Sequence, residues 1–548
     1  MVALISAIVI CVAAGIAVFK LADSRTDAER LVDEFVAELN DRDAEGAAAL
    51  TSYPNAASAT LTQLFDGLSD GTVEYDITQL VELSGESGYF TLAGNWNFGP
   101  DKNWSYQVDG SVKKLAVGWR VSWSPDVVVP DLGGGRTVHH VRTDAAPPRI
   151  FDRNGQLLMD EQTINTVVLD PAKMPDPVLT TTLLGDVLAP VAPVINAQSL
   201  QQRLAEQPGE RIAAGKLRDQ DYQFLEDAIV PIPGVEVIKT PTLISSDRRI
   251  SSPLLDSLRG AWQLERDRTA GWAVTLEDPQ AGPIQVAGFQ GPPPPDLVST
   301  LDSRVQLAAK EAVVSVGTPA AIVAIQPSTG GILAVDVNNQ AMELGAVATR
   351  GLYPAGTAAD PVRVAAGIAL GKDPSQVSTA ELGDTARSLG LGLDYAVPGF
   401  DFETAQFGQS RGGVVQFTSS SSDSEALMSP LGAALLAASV ARGTAPLPTI
   451  VQGQPASVAD PAEPLSAQAI DAMRGRMIDN VQNGPASFLK GHPGLMGIAA
   501  ENSNDRWFYG VSGDMAFAVF VANADGGDRA VKMADMFLRE LAKPADAF

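Results

Sequence analysis

Thr357 and Asp360 stand three residues apart in the stretch GLYPAGTAADPVRVAAGIAL, Gly351 to Leu370, where a glycine-bearing loop runs into an alanine-rich helix. Enzymes that place a nucleophile on a helix's first turn use this layout. The hydroxyl attacks an acyl carbon once a neighbouring base takes its proton, and a lysine three residues on, on the same helix face, is suited to take it. Here a hydroxyl survives on Thr357, but the base position holds Asp360. An aspartate, with an ordinary pKa of about 4, is a poor base for an alcohol. Pro361 follows, and a residue before proline is pushed out of the α region. Asp then Pro is a signature for an N-cap and first helical position. The sequence therefore predicts a helix starting at Asp360, with Thr357 in the preceding loop. The i, i+3 pairing is then lost in geometry as well as in chemistry.

Other chemistry-bearing residues are sparse. Two Ser-x-x-Lys strings occur, Ser111 to Lys114 and Ser487 to Lys490. The first falls in a tryptophan-rich sheet region and the second follows a glycine-proline break, and short strings of this kind arise by chance in a long chain. His139 and His140 are read as part of a linker, and His492 stands alone, so no metal-ligand spacing appears and no metal or cofactor is expected. The only cysteine, Cys11, lies in the apolar N-terminus, so the folded part holds no disulfide.

Positioning such residues takes several domains, and 548 residues are too many for one core. Hydrophobic residues at 45% and charged residues at 19% describe a folded chain rather than a disordered one. The formal net charge of −26 argues against nucleic acid as a partner. Val2 to Phe19 is an apolar run broken only by Ser6, Cys11 and glycine and stopped by Lys20. At roughly 18 residues it just spans a bilayer. With no clean small-x-small cleavage site it reads as an uncleaved signal anchor, residues 1–21.

Beyond it, Leu31, Val32, Phe35, Val36 and Leu39 mark an amphipathic helix. Short alternating runs from Val73 to Pro130 read as antiparallel strands. Trp96, Trp104, Trp119 and Trp123 fall among them, and a curved sheet packing on its helix accounts for them more simply than a ligand pocket. DLGGG, Asp131 to Gly135, is a joint. RIFDRNGQLL then reads as strand, Asn154-Gly155 turn and strand. GPPPP, Gly291 to Pro295, is a stiff boundary. Past it, STLDSRVQLAAKEAV begins a helix with Asp302 as N-cap, and AAIVAIQPSTGGILAV is a strand pair. TSSSSDSEALMSP, Thr418 to Pro430, reads as a surface loop. WFYGVSGDMAFAVFVANAD and MADMFLRELAK give two strands and a closing helix.

This order resembles a class B penicillin-binding protein whose N-terminal domain is NTF2-like, as in resistance-type and actinobacterial members. GWRVSWSPDVVVPDL is similar to the end of that NTF2-like domain, and RIFDRNGQLL to the RGxIxDRNGxxLA strand that opens the pedestal. STLDSRVQLAAKEAV with AAIVAIQPSTGGILAV resembles the start of the transpeptidase domain. YPAGTAADPVRVAAGIAL aligns with YPPGSTFK and its helix, SPLGAALLAASV with the TPLQMA helix, and LMGIAAENSNDRWFYG with KTGTAE and the WFxG strand. The resemblance implies a multidomain α+β chain. Its parts are a transmembrane anchor (1–21), an NTF2-like domain (24–132), an elongated pedestal or dimerisation-like domain (137–290) and a transpeptidase-like domain (296–548).

Family chemistry uses the serine and lysine, a Ser-x-Asn motif, and Lys-Thr-Gly on a strand that binds the substrate carboxylate and shapes the oxyanion hole. All three motifs are degenerate here. Thr357 and Asp360 replace the first. The best match to the second is Ser378-Thr379-Ala380, with Ala380 where the amide belongs. Met496-Gly497-Ile498-Ala499 lies over Lys-Thr-Gly-Thr. Three readings follow. One is a membrane-anchored pseudo-transpeptidase, a scaffold or regulator with its bulk outside the cell, partnered by the membrane, peptidoglycan or wall-synthesis and division proteins. Another is an active D,D-transpeptidase or acyl-transferase with a rewired site on Thr357 or Ser487. The last is a ligand-binding sensor built on the NTF2-like domain.

Overall fold

The computed structural model describes residues 25–544 apart from 84, 408–425, 503 and 525. The apolar run Val2–Phe19 and the serine-rich part of the expected surface loop lie outside the described residues. No helix among the described residues is long and apolar enough to cross a membrane. The chain divides into two units, one comprising the residues through Ala146 with Arg266–Pro294, the other Pro147–Glu265 with Pro295–Phe548.

In the first unit, the apolar positions spaced along the sequence become the buried face of α1 (Asp27–Asn40). A capping box opens it, with Thr26 and Glu29 each accepting from the other's main-chain N–H. Helices α2 (Ala44–Ala49) and α3 (Pro54–Gly67) follow. They lead into an antiparallel meander of β1 (Thr72–Leu83), β2 (Ser87–Asn97), β3 (Asn103–Leu115) and β4 (Gly118–Val121). Alternate side chains of a strand share a face, and Trp96, Trp104 and Trp119 are buried in the core with Phe35 and Leu61. Trp123 is half-buried against it.

A second sheet of this unit pairs β5 (Thr137–Thr143) with β6 (Gly271–Asp278), and β6 with β7 (Gly282–Phe289). Val138, Trp272, Val274 and Leu276 join the same core. Residues 137–146 and 266–290, expected in the pedestal, therefore pack with the first unit. The two histidines are not in a linker: both lie on β5. His140 Nδ1 is 2.6 Å from Asp70 Oδ2, and its ring stacks on Phe98 at 4.1 Å. Pairing between such distant stretches leaves no local trace for a sequence reading to find.

In the second unit, RIFDRNGQLL forms the expected hairpin, Ile150–Phe151 against the start of Leu157–Leu169, with Gly155 at φ 80° in the turn. The long strand also pairs with Ile212–Arg218 and Val235–Ser245. Around its C-terminal half, Leu184, Leu188, Leu200, Leu225 and Ile229 make a small separate core. Ile150, Leu158 and Met159 instead share the large core of the C-terminal residues.

That core is built on a five-stranded antiparallel sheet. Its strands are β8 (Ala320–Ile325), β9 (Ile332–Val337), β10 (Met496–Glu501), β11 (Arg506–Ser512) and β12 (Met515–Val521), in spatial order β9-β8-β12-β11-β10. The AAIVAIQP and MAFAVFVAN strands pair antiparallel, Ala320 opposite Val521 and Ile325 opposite Ala516. The helices α4 (Ser303–Val313), α5 (Asp360–Leu370), α6 (Thr379–Ser388), α7 (Pro430–Arg442), α8 (Ala467–Gln482) and α9 (Arg529–Leu541) surround the sheet. Asp302 caps α4 as read from the sequence, accepting from Arg304 and Val305 N–H. Helices α4 and α9 pack on each other and on one face of the sheet, and α7 on the strands β8 and β12. Helices α5 and α8 pack together at the β10 edge.

Sheet edges offer unpaired main-chain groups to any passing strand, and side chains blunt both. At the β9 edge, the buried Gln306 accepts from Val335 N–H (3.0 Å) and donates to Val335 O (3.0 Å) and Asp336 Oδ2 (2.7 Å). Burial pushes the Asp336 carboxyl up to about 7.

Candidate active site

Loop, helix and strand meet at the β10 edge. Gly356–Ala359 is a 3-10 turn that runs directly into α5. Asp360 has φ −57° and ψ −41°, inside the α region, and its side chain caps nothing. The helix starts at Asp360 as expected, but Ala359 and not Asp360 is its N-cap, and Thr357 lies in a helical turn rather than an open loop. The tighter turn before it keeps the chain helical through the residue preceding Pro361, and packing overrides the local steric preference. Thr357 and Asp360 both line one cavity of about 460 Å³. The i, i+3 geometry survives, with an acid at the second position.

The Thr357 hydroxyl is occupied. It accepts from Glu501 N–H at 3.0 Å and donates to Glu501 O at 3.3 Å. Around it the loop is pinned to the strand. Asn502 Nδ2 donates to Pro354 O (2.7 Å), and the buried Tyr509 hydroxyl donates to Ala358 O (2.9 Å). Burial raises the Tyr509 pKa well above the ordinary phenol value, with Asp360 adding to the rise, so Tyr509 stays a neutral donor. Gly356 makes the approach possible. Its φ is +52°, and a Cβ there would fall 2.3 Å from Glu501 O.

Along the same edge, Asn480 of α8 accepts from Ala499 N–H through Oδ1 at 2.9 Å. Residues two apart on a strand point their N–H groups the same way. Ala499 and Glu501 are therefore the outward-facing donors of β10, and each already has a side-chain acceptor from this chain. Ile498, Ala499, Ala500 and Glu501 line the cavity. Met496 and Gly497 lie further back on β10, where a side chain on Gly497 would strike Phe508 Cζ at 2.5 Å. The strand that resembles Lys-Thr-Gly thus reaches the site with the sec-butyl group of Ile498 and the methyl group of Ala499 in place of charge and hydroxyl.

Ser378 and Ala380 are elsewhere. Ser378 is the N-cap of α6, its Oγ accepting from Glu381 N–H at 3.3 Å while Glu381 accepts from Ser378 N–H at 3.0 Å. Lys372 and then Ser378 hold the Glu381 carboxyl down at about 2. Ala380 lies in the first turn of α6, and neither residue lines the cavity. The match to a second motif was a capping box, whose Ser-x-x-Glu pattern is the more general meaning of such a string.

Ser111 and Lys114 lie three apart on β3 and so on opposite faces. Ser487 opens a short 3-10 turn, Ser487–Leu489, with Lys490 exposed beyond it, and neither lines the cavity. His492 contacts Asp535 at 2.8 Å. Among the described residues no group of acids, histidines or cysteines is arranged to hold a metal ion.

Sequence reading missed Arg476 and Asn480. Both line the cavity from α8, at i and i+4 on one helix face. Their only signal was the amphipathic spacing of α8, which says which side is buried but not what the other side meets. Arg506 sits across the floor, donating to Gly527 O, Asn502 O and Asp505 O and lying 3.5 Å from Glu501 Oε2. Among the described residues lining the cavity, none is lysine or histidine. Among the described residues the cavity holds a hydroxyl in place and sets neither lysine nor histidine beside it.

Residues 27–136 match the family described as NTF2-like N-terminal transpeptidase domain. The first unit carries an NTF2-like domain. The match spans α1 to α3 and the whole β1–β4 meander, and it supports a penicillin-binding-protein-like chain. No curated protein matches this sequence.

Proposed function

We propose that this chain is a membrane-anchored, penicillin-binding-protein-like protein of the cell wall that has lost transpeptidase chemistry and acts as a scaffold or regulator in peptidoglycan synthesis or division. The observation that carries this reading is the closed strand edge. Thr357 spends its hydroxyl on both main-chain groups of Glu501, and Asn480 takes the next outward N–H. In the resembling family the equivalent strand supplies the oxyanion hole and carboxylate contact, and the serine is free to attack. Here the nucleophile position serves as a clasp, its partner three residues on is an acid, and among the described residues neither lysine nor histidine lines the cavity.

Anchoring rests on the apolar Val2–Phe19 run and the family resemblance, which put the N-terminus inside and the bulk outside. Protease added to intact spheroplasts should digest the bulk of the chain, whereas full protection overturns that topology. The scaffold role is tested by copurification from native membranes alongside labelling with a fluorescent penicillin. The reading expects wall-synthesis or division proteins with the chain and no label on it. A labelled chain overturns it.

A second reading is favoured by one feature of the NTF2-like domain. An open cleft of about 750 Å³ is lined by Thr72, Asn95, Asn97, Asn103 and Ser105. Asparagine is disfavoured in strands, so three on one exposed sheet face suggest a surface selected for polar contacts. Saturable binding of a polar ligand, lost in Asn95→Ala, would favour a sensor role for this domain.

A further inference from the structure

The cavity beside Thr357 retains charge that the clasp does not use. Asp360 lines it from the first turn of α5, and among the described residues its carboxylate has no ion-pair partner. Arg476 lines it from α8, also without an ion-pair partner among the described residues. One helical turn on, Asn480 gives its Oδ1 to Ala499 N–H, which leaves its amide N–H group unclaimed beside Arg476. The other charges are engaged: Arg506 with three carbonyls and Glu501, Asp528 with Lys532 at 2.9 Å. The free groups are therefore one acceptor of positive charge on one helix and a donor pair for an anion on the helix packed beside it.

We infer that this cavity binds a small zwitterion, an amino acid or dipeptide, with its ammonium on Asp360 and its carboxylate on Arg476 and Asn480. A lone anion would meet the repulsion of Asp360, Glu501 and Asp528, and a lone cation that of Arg476 and Arg506. Only a ligand carrying both signs uses both free groups. The volume of about 460 Å³ is within the range of small-molecule sites. Charge-assisted hydrogen bonds made out of bulk water carry most of such a ligand's affinity. The inference rests on the reading above, because a ligand held this way sits beside an unreactive Thr357.

The test is calorimetric titration of the full chain with alanine and with alanyl-alanine, repeated with the N-acetylated and C-amidated dipeptide. The expected result is saturable binding of a zwitterionic probe, weakened at least about tenfold by either cap, as loss of one charged hydrogen bond implies. Asp360→Asn should weaken the free dipeptide by a similar factor and leave the N-acetylated one unchanged. Arg476→Gln should do the converse with the C-amidated form. No saturable binding up to about 100 mM, or capped probes that bind as well as the free one, overturns the inference. The two readings fail separately. A penicillin adduct on Thr357 with zwitterion binding intact overturns only the loss of chemistry, and absent binding without an adduct overturns only the ligand.

Discussion

Thr357 Oγ1 lies 3.0 Å from the Glu501 nitrogen and 3.3 Å from the Glu501 oxygen, so one side chain pairs with the sheet edge as a neighbouring strand would. Threonine suits this clasp because its β-branch restricts χ1 and holds the hydroxyl in one direction. Thr357→Ser should keep both bonds with little loss. Thr357→Val keeps the shape and leaves Glu501 N–H without its acceptor. It should cost about 1 kcal/mol, read as a lower denaturant midpoint at unchanged slope. Equal stability of the two variants would show that the clasp contributes nothing.

Gly356 is the residue that lets the loop come this close. Alanine there would combine a left-handed backbone with a Cβ 2.3 Å from Glu501 O. Gly356→Ala should therefore destabilise the C-terminal sheet by roughly 2 kcal/mol or more, beyond the 1 kcal/mol of an ordinary left-handed position. Thermal unfolding of the variant measures it, and an unchanged midpoint would contradict the described approach.

At the opposite sheet edge, Asp336 gives a pH dependence with a definite sign. Folded, its carboxyl titrates at about 7, and unfolded near the ordinary 3.8. Between those values the folded state binds more protons, so this group's contribution to stability falls as pH rises from about 4 to about 7 and is level above that. Asp336→Asn removes the term while leaving an acceptor for Gln306. Relative to the parent, the variant should gain up to a few kcal/mol on going from pH 4.5 to pH 8. A pH-independent difference between the two chains would mean that Asp336 ionises freely.

Ser378 belongs to folding. Ser378→Ala should cost about 1 kcal/mol through loss of the cap on α6 and leave ligand binding at the β10 cavity unaltered. An effect on that binding larger than threefold would return Ser378 to the site.

What the sequence disclosed follows the range of the forces involved. Periodic apolar residues specified α1, and the alternating runs from Val73 to Pro130 specified the β1–β4 meander, because a buried face must repeat with the element's own period. The Asp302 cap and the Asn154-Gly155 turn were legible for the same reason: each is settled within four residues. The joining of β5 to β6 was not, since it depends on strands distant in the chain. Around Thr357 the local signal misled. Pro361 argued against helical backbone at Asp360, yet Tyr509, Asn502 and Glu501 hold the turn from another part of the chain. That Asp360 is an acid and that no Lys-Thr-Gly string occurs could be read directly. That Asn480 and Thr357 close the strand edge could not, because neither residue's neighbours in sequence touch β10 through a recognisable pattern.

Restoring one group should not restore chemistry. Groups that act as a unit lose nearly all function when one is lost, and an oxyanion donor alone contributes on the order of 10²–10³ in rate. Asp360→Lys would return a base facing the cavity but leave Thr357 clasped and the Ala499 donor occupied. The direct measurement is intact-protein mass spectrometry of the parent chain and of Asp360→Lys after long incubation with a penicillin. The account predicts the unmodified mass for both. A stoichiometric adduct on the parent chain, mapped to Thr357 or Ser487, would contradict it.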